Sequence, residues 1–323
     1  MFVILFHHFF SHGLQVGKIG SEDFPLNMEN NVNASLCLLT HFGVIGFMFI
    51  SSYYGITFKV SKAIKLWLQL FFYSFLIVIC FFIISHSFSS FQLIQSFFPL
   101  RIWWFVKFYF LVMLLSPIIN SGINNINKKL FSLIVITIGS ILFISRFIFN
   151  DSSFNLDLLL YVYILGRYLR LYPLNWLEKN SGLIFLITSI VLFCLPLLLL
   201  HFKISTPLHW LWSSYNFLVL LEAISCFYTF LYHKIFSFHK LFYSISSANV
   251  LSVYLITDHP LIRSIIWSDR NGMTFLYYKT GSLFLVILVL MVIMAICIVF
   301  DKIRVSISKP LDNLLVNIDR FII

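Results

Sequence analysis

Apolar residues occur along this chain in long runs that short polar segments separate. Nine of the runs approach or exceed the roughly 20 residues that an α-helix needs to cross a bilayer. They lie at residues 38–58, 66–85, 102–119, 130–149, 156–172, 182–201, 208–232, 245–267 and 280–300. A tenth run, residues 1–10, covers about half a span, since each helical residue rises about 1.5 Å. The pattern predicts an all-α, polytopic membrane bundle of about ten helices, the first of them truncated.

The composition excludes a water-soluble protein. Of the 323 residues, 60% are hydrophobic and 11% are charged, and the mean hydropathy is +0.95, whereas soluble domains carry about 25% charged residues. No repeat, low-complexity segment or Pro/Gly-rich linker divides the chain. We therefore expect a single integral-membrane domain over residues 1–323, with the lipid bilayer as its main surroundings.

The positions of the basic residues predict a membrane topology rather than a nucleic-acid partner, despite a formal charge of +10. With ten helices, both termini lie on one face. The loops of that face hold fourteen of the 22 Lys and Arg residues and four acids, while the other face holds eight basic residues and seven acids. Basic loops remain in the cytoplasm. We expect cytoplasmic termini and a location in the inner, cytoplasmic membrane.

The short first helix lacks the features of a cleaved signal peptide, because no basic segment precedes it and no small-residue cleavage site follows it. We expect the natural chain to begin upstream of Met1, with the cytoplasmic half of this helix encoded there. The five cysteines lie within or beside apolar runs, and no CxxC or HExxH spacing occurs. Neither a disulfide framework nor a metal site is therefore predicted.

Two adjacent histidines, His7 and His8, end the first apolar run, and His12 follows them. A titratable side chain is costly in hydrocarbon, so intramembrane histidines indicate a functional site. Imidazole has an ordinary pKa of about 6.5, which suits proton transfer at neutral pH. His7 and His8 are therefore candidate catalytic residues.

Two further polar groups interrupt apolar runs. Glu222 lies within Leu218–Ile224, where it either forms a helix–helix hydrogen bond or contacts a substrate hydroxyl or proton path. Asp258 and His259 precede Pro260, which removes a backbone donor and kinks a helix. They either line an active site or satisfy the freed carbonyl groups, and Arg263 would lie on the face of His259.

A cluster of aromatic residues opens the run at 102–119, and Lys107 lies one turn inside it. Tryptophan pairs are typical of the membrane interface, and Lys107 either extends its amine outward or lines a cavity. Trp104, Lys107 and Tyr109, together with Arg263, are candidate substrate contacts.

Three lysines, Lys59, Lys62 and Lys65, recur at every third position between the second and third helices. They are either ordinary cytoplasmic charge or a stripe that binds a phosphorylated cytosolic ligand, since spacings of three place amines along one helix edge.

Five segments of the chain resemble the acyltransferase-3 family of integral-membrane acyltransferases, especially the short forms of bacterial cell-surface polysaccharide clusters. They are an aromatic–His stretch at 3–9, a G-V-x-x-F-F-x-I-S-G-Y-like stretch at 43–53, and the segments 103–117, 166–170 and 253–260, the last similar to Y-L-I-H-D-x-P. Each segment alone is loose, but their order and spacing together are specific.

The resemblance implies transfer of an acyl group, commonly acetyl, from cytosolic acyl-CoA to a carbohydrate hydroxyl, with no permanently bound cofactor. The family's helix-1 histidine corresponds best to His7, which directly follows Phe6. We interpret His7 as the general base, Asp258 or Glu222 as orienting groups and the three lysines as ligands of the CoA phosphates. An acyl-histidine intermediate is the alternative to base catalysis.

The chain departs from the family pattern at several positions. Lysines stand where the family carries an arginine-rich stretch, Ser52 replaces a glycine, Tyr109 stands nearest to the position of a glutamate, and Thr257 occupies the usual histidine position of the last segment. The rival interpretations are a polysaccharide polymerase or flippase, and a catalytically inactive relative. The modest size of the largest outer loop, about residues 11–37, argues against the polymerase.

Overall fold

The structure is a computed structural model that describes residues 1–16, 28–86, 89–149, 156–202, 216–233 and 247–322. Within those ranges the secondary structure is helical and contains no strand. The predicted all-α class is confirmed. Part of the predicted outer loop at 11–37 and the starts of the runs at 208–232 and 245–267 lie outside the described residues.

The helices are numbered here in chain order. They are α1 Phe2–His8, α2 Met28–Leu39, α3 Phe42–Tyr54, α4 Val60–Ser85, α5 Ser90–Ser96, α6 Trp104–Asn124, α7 Lys128–Phe149, α8 Leu156–Leu171, α9 Asn175–His201, α10 Phe217–His233, α11 Ser247–Thr257, α12 Pro260–Ile266, α13 Met273–Thr280 and α14 Leu283–Ile322. A π-helical turn, Phe9–Gly13, follows α1, and a short 3₁₀ turn, Pro99–Arg101, precedes α6.

Six helical segments of the described ranges are long and apolar enough to cross a membrane. They are Met28–Tyr54, Val60–Ser85, Trp104–Asn124, Lys128–Ser145, Asn175–Leu199 and Leu283–Pro310, and Phe217–Tyr232 is a shorter apolar helix. The protein is therefore a multi-pass membrane protein. Two boundaries differ clearly from the prediction. Residues 28–37, expected in the outer loop, belong to α2, so the candidate span begins at Met28 rather than at residue 38. The run expected to end at residue 300 continues as the 40-residue helix α14, because polar side chains beyond residue 300 extend a helix as readily as apolar ones.

The described chain forms two compact units. The first comprises Met1–Gly13, Phe58–Phe110 and His239–Ile323, and the second comprises Leu14–Thr57 and Leu111–Phe238. In the first unit, α14 packs against α1, α4, α11 and α13. In the second, α3 packs against α8 and α10, while α9 packs against α2 and α10.

A buried carboxylate joins three helices of the first unit. Asp301 of α14 is fully buried and accepts hydrogen bonds from the Tyr73 hydroxyl of α4 at 2.6 Å and from the Asn249 amide of α11 at 2.6 Å. The Arg304 guanidinium donates to it at 2.6 Å and compensates its charge. This network fixes α11 relative to α14, since a buried charge requires both an ion partner and hydrogen bonds.

In the second unit, α3 and α8 approach each other very closely. A Cβ atom at Gly166 would overlap the Ser52 side chain, so only glycine allows this approach. At the carboxyl ends of both helices, Arg170 donates to the Tyr53 hydroxyl at 3.4 Å. The carboxyl ends of α3 and α8 therefore lie together. The predicted alternation of spans agrees with this, because both helices cross the membrane in the same direction in that topology.

Candidate active site

The histidines of the N-terminal segment follow an irregular stretch of helix. His8 is the last residue of α1, and His12 lies in the π-helical turn that comes directly after it. The two imidazole rings are 5.0 Å apart, centroid to centroid. Single π-helical turns occur frequently at functional sites, and this one places two histidines on one side of the segment.

A second irregularity faces them within the first unit. Helix α11 ends at Thr257, and α12 begins at Pro260, with His259 as its N-cap in an extended conformation. Proline fits the first helical position because that position needs no backbone donor. The interruption leaves Asp258 between two helices, with its carboxylate buried, and confirms the predicted break at the proline.

Three basic groups surround one carboxylate oxygen. The Oδ1 atom of Asp258 lies 4.0 Å from Nδ1 of His8, 3.5 Å from Nε2 of His12 and 3.5 Å from Nη1 of Arg263. The His8 and Asp258 side chains are 10% and 5% exposed, whereas His12 and Arg263 are 34% and 38% exposed. The cluster therefore has a buried side formed by His8 and an accessible side formed by His12 and Arg263.

The buried atoms of this cluster are not hydrogen-bonded to any described residue. Nδ1 of His8 and Oδ1 of Asp258 are both inaccessible and both lack a hydrogen-bond partner within the described ranges. Their separation exceeds the 2.7–3.2 Å typical of such bonds. Buried polar atoms are nearly always hydrogen-bonded, and a catalytic role is one explanation for an unpaired one. Hydrogen bonds between catalytic groups are often long in the absence of substrate and shorten when it binds.

The same three ligand atoms satisfy the spacing of a metal site, since those of His8, His12 and Asp258 all lie within 4.8 Å of one another. The guanidinium of Arg263, however, lies at the same carboxylate oxygen. A fixed positive charge at that distance opposes binding of a divalent cation. The arrangement suits proton transfer better, because a carboxylate beside an imidazole orients the ring and stabilises its protonated form.

Aromatic side chains enclose the cluster. The Tyr254 ring lies 6.1 Å from that of His8, and the Phe105 ring lies 6.2 Å from that of Tyr254. Trp103, which is fully buried, packs edge-on against His259 at 5.8 Å. These rings give the buried side of the cluster an apolar surrounding, which strengthens its electrostatic interactions.

Of the predicted catalytic residues in this unit, the structure brings His8 and Asp258 together. His7 is half-buried and its ring centroid is 6.3 Å from that of His8; it lies about 100° further round the helix. His259 accepts a hydrogen bond from the Leu261 backbone through Nδ1 and so caps α12. This contact matches the structural alternative for His259, although its Nε2 atom has no hydrogen-bond partner in the described ranges.

Arg263, predicted to share a face with His259, donates its backbone N–H to the His259 carbonyl at 2.7 Å, and its guanidinium contacts Asp258. His12 was not among the predicted site residues. The signal that would have found it is the spacing His8-x-x-x-His12, because residues four apart meet on one side of a helix.

The predicted substrate contacts at the start of α6 differ in exposure. Trp104 and Tyr109 are half-buried, whereas Lys107 is exposed and lies over the Phe108 ring at 4.5 Å. The exposure of Lys107 favours the outward-pointing alternative over a cavity-lining role.

Glu222 belongs to the second unit. Its carboxylate is fully buried and accepts a hydrogen bond from the Ser189 hydroxyl of α9 at 2.9 Å. This bond joins α9 and α10, which is the helix–helix alternative considered above. The other carboxylate oxygen, Oε2, has no hydrogen-bond partner among the described residues.

The predicted phosphate-binding lysines lie at the start of α4 in the first unit. Lys59 is the N-cap residue, and Lys62 and Lys65 occupy the first two turns. Lys59 and Lys62 are exposed and Lys65 is half-buried. The stripe is therefore helical, as the spacing predicts, and is accessible to a soluble ligand.

Comparison with known proteins identifies the family. The family model described as an acyltransferase domain, that of acyltransferase family 3, matches residues 1–302. No curated protein and no solved structure matches the chain. The matched region contains the four groups of the Asp258 cluster, namely Asp258, His8, His12 and Arg263. It also contains the three lysines at the start of α4 and the aromatic segment at the start of α6. Because the match covers nearly the whole sequence, the chain belongs to the acyltransferase-3 family of membrane acyltransferases.

Proposed function

We propose that this membrane acyltransferase moves an acyl group, in the simplest case acetyl, from cytosolic acyl-CoA to a hydroxyl of a cell-surface polysaccharide or its lipid-linked precursor. The observation that carries the proposal is the pairing of Asp258 with His8 and His12 in a largely water-excluded site. Transfer from a thioester to an alcohol needs a base for the hydroxyl proton, and an oriented imidazole supplies one.

His8 acts as the general base in this proposal. Its Nδ1 atom faces Asp258, so Nε2 is the nitrogen left to receive the proton of the acceptor hydroxyl. As the proton leaves, the acceptor oxygen attacks the thioester carbonyl carbon and a C–O bond forms. The tetrahedral intermediate then collapses, the C–S bond breaks, and the imidazolium returns its proton to the departing CoA thiolate.

The neighbouring groups position this base. Asp258 orients the His8 ring and stabilises its protonated form, and Arg263 keeps the carboxylate ionised through their 3.5 Å contact. His12 contacts the same oxygen from the accessible side and exchanges protons between the buried cluster and that side. The partial exposure of Arg263 also leaves its guanidinium available to the acceptor.

The donor side is assigned to the cytoplasm. CoA carries several phosphate charges, and the exposed lysines at the start of α4 attract such an anion. We accordingly propose residence in the cytoplasmic membrane with both termini on the cytoplasmic side, as the distribution of basic residues predicts.

Thiol labelling tests this orientation. In a variant without the five natural cysteines, a cysteine at Asn30 should react with a membrane-impermeant maleimide added to intact cells, whereas one at Asn125 should react only after the membrane is opened. The physical reason is that the reagent reaches the outer face alone. Labelling of Asn125→Cys but not Asn30→Cys in intact cells would reverse the topology.

Deletion of the gene distinguishes acyl transfer from the rival functions. We expect the polysaccharide of the deletion strain to keep its chain length and lose O-acyl esters, measured by NMR before and after mild alkali. Restoration by the wild-type gene but not by Asp258→Asn would support the proposal, since the amide cannot stabilise imidazolium. A shortened or untransported polymer with normal O-acylation would instead indicate a polymerase or flippase.

A further inference from the structure

An arginine in the second unit lies directly against the turn that ends α3. Gly55 is the C-cap of that helix and adopts φ +81°, a left-handed conformation that favours glycine. A Cβ atom built there would be 2.7 Å from Nη1 and 3.2 Å from Cζ of Arg167. Glycine at position 55 therefore permits both the turn and the close approach of the guanidinium.

Side-chain hydrogen bonds hold this turn in place. The backbone N–H of Ile56 donates to the Tyr163 hydroxyl at 3.3 Å, and that hydroxyl donates to Oδ1 of Asn120 at 2.8 Å. The Asn120 amide in turn donates to the Ile56 carbonyl at 3.0 Å. The guanidinium of Arg167 consequently faces a backbone whose position is fixed before any ligand arrives.

Among the described residues Arg167 lacks the carboxylate partner that Arg263 and Arg304 have. Arg263 and Arg304 each contact a carboxylate, whereas no hydrogen bond or ion pair joins Arg167 to any described residue, and its Nε atom is buried without an acceptor. A guanidinium offers five N–H donors, and buried donors are normally satisfied. Among the described residues the Nε donor of Arg167 is therefore left for an oxygen acceptor that they do not supply.

Arg170 lies one helical turn further along α8 and strengthens the site. Its guanidinium lies over the Tyr53 ring at 5.0 Å and donates to the Tyr53 hydroxyl, but it contacts no carboxylate within the described ranges. Stacking on the ring orients its planar fork. Two guanidinium groups without acidic partners, three residues apart on one helix edge, match an oxyanion that carries more than one negative charge.

We propose that Arg167 and Arg170 bind a phosphate group, and that this phosphate belongs to the acyl-CoA donor. The proposal rests on the proposed function, because the predicted topology places the carboxyl ends of α3 and α8 on the cytoplasmic side, where acyl-CoA is found. Anionic phospholipid headgroups carry the same chemistry and are distinguished by the experiment.

The test compares donors with and without phosphates on purified protein in lipid nanodiscs. For Arg167→Gln we expect the KM for acetyl-CoA to rise about 10- to 100-fold with little change in kcat, since charge-assisted hydrogen bonds contribute about 1.5–3 kcal/mol. With S-acetylpantetheine, which has no CoA phosphates, the wild type and the variant should have the same KM. Arg101→Gln, at another exposed arginine, is the matched control and should behave as wild type.

A second variant guards against an effect on folding. Arg167→Lys keeps the positive charge without the planar fork, so it should recover only part of the affinity that Arg167→Gln loses. An equal rise in KM for both donors, or no rise for acetyl-CoA, would overturn the proposal.

Two controls separate the remaining explanations. If the difference between Arg167→Gln and wild type disappears in nanodiscs of purely zwitterionic lipid, the ligand is a lipid headgroup and the proposal is wrong. Binding of radiolabelled CoA to wild-type protein is measured in parallel. Protein that neither binds CoA nor transfers acetyl would refute the proposed function, whereas binding and transfer that are unaffected by Arg167→Gln would refute only this inference.

Discussion

Replacing His8 with glutamine is expected to lower the rate of acyl transfer by about 10²–10⁴-fold, the usual effect of removing a general base. Glutamine approximates the size of imidazole but accepts no proton at neutral pH. The Nδ1 atom of His8 faces the buried Asp258 carboxylate, so the substitution removes both the base and the partner of that carboxylate. Release of CoA thiol in the presence of acceptor gives the rate, normalised to the amount of folded protein.

His7→Gln is the matched control for this prediction. His7 adjoins His8 but points about 100° away around the helix, and we expect the variant to retain most of the wild-type rate. His12→Gln should give an intermediate loss, because His12 contacts Asp258 from the accessible side. If His7→Gln were inactive and His8→Gln active, the base would be His7, as the family resemblance alone suggests.

Replacing Asp301 with alanine is expected to destabilise the first unit by about 3–5 kcal/mol, the cost of removing one partner of a buried ion pair. The change leaves the Arg304 guanidinium without its carboxylate and the Tyr73 and Asn249 side chains without their acceptor. The midpoint of thermal unfolding in detergent should fall markedly, as followed by the loss of monodisperse protein on heating.

Two further variants define the origin of this effect. Asp269→Ala removes an exposed aspartate of the same unit and should change stability by less than about 0.5 kcal/mol. Asp301→Leu combined with Arg304→Leu removes both charges and should recover much of the lost stability, because an apolar pair leaves no charge uncompensated. An unfolding midpoint for Asp301→Ala that equals that of wild type would show that the network contributes little.

The sequence alone determined the all-α membrane class of the protein and the positions of several of its helices. A membrane-spanning helix satisfies its backbone hydrogen bonds within itself, so the length of an apolar run is sufficient to predict it. The run at 130–149 corresponds to α7, Lys128–Phe149, and the break at Pro260 separates α11 from α12. These features are local, since they depend on neighbouring residues along the chain.

Only the tertiary structure decided which polar residues of the first unit lie against one another. Periodicity could not choose between His7 and His8, because the choice depends on which side of α1 faces Asp258, some 250 residues away in sequence. His12 also contacts Asp258, because it lies in a π-helical turn that the residue pattern did not predict. Glu222, an equally conspicuous intramembrane acid, proved to join Ser189 in a helix pair of the other unit.

The arginine site illustrates the same division. The sequence places Arg167 and Arg170 in one of the segments that resemble the family, but it does not relate them to Gly55. Only the packing of α8 against α3 places the Arg167 guanidinium on the Gly55 turn and leaves it without an acidic partner. Helix formation is governed by local hydrogen bonding and hydrophobicity, whereas a site depends on side chains that meet after the helices pack, and that meeting is a property of the whole fold.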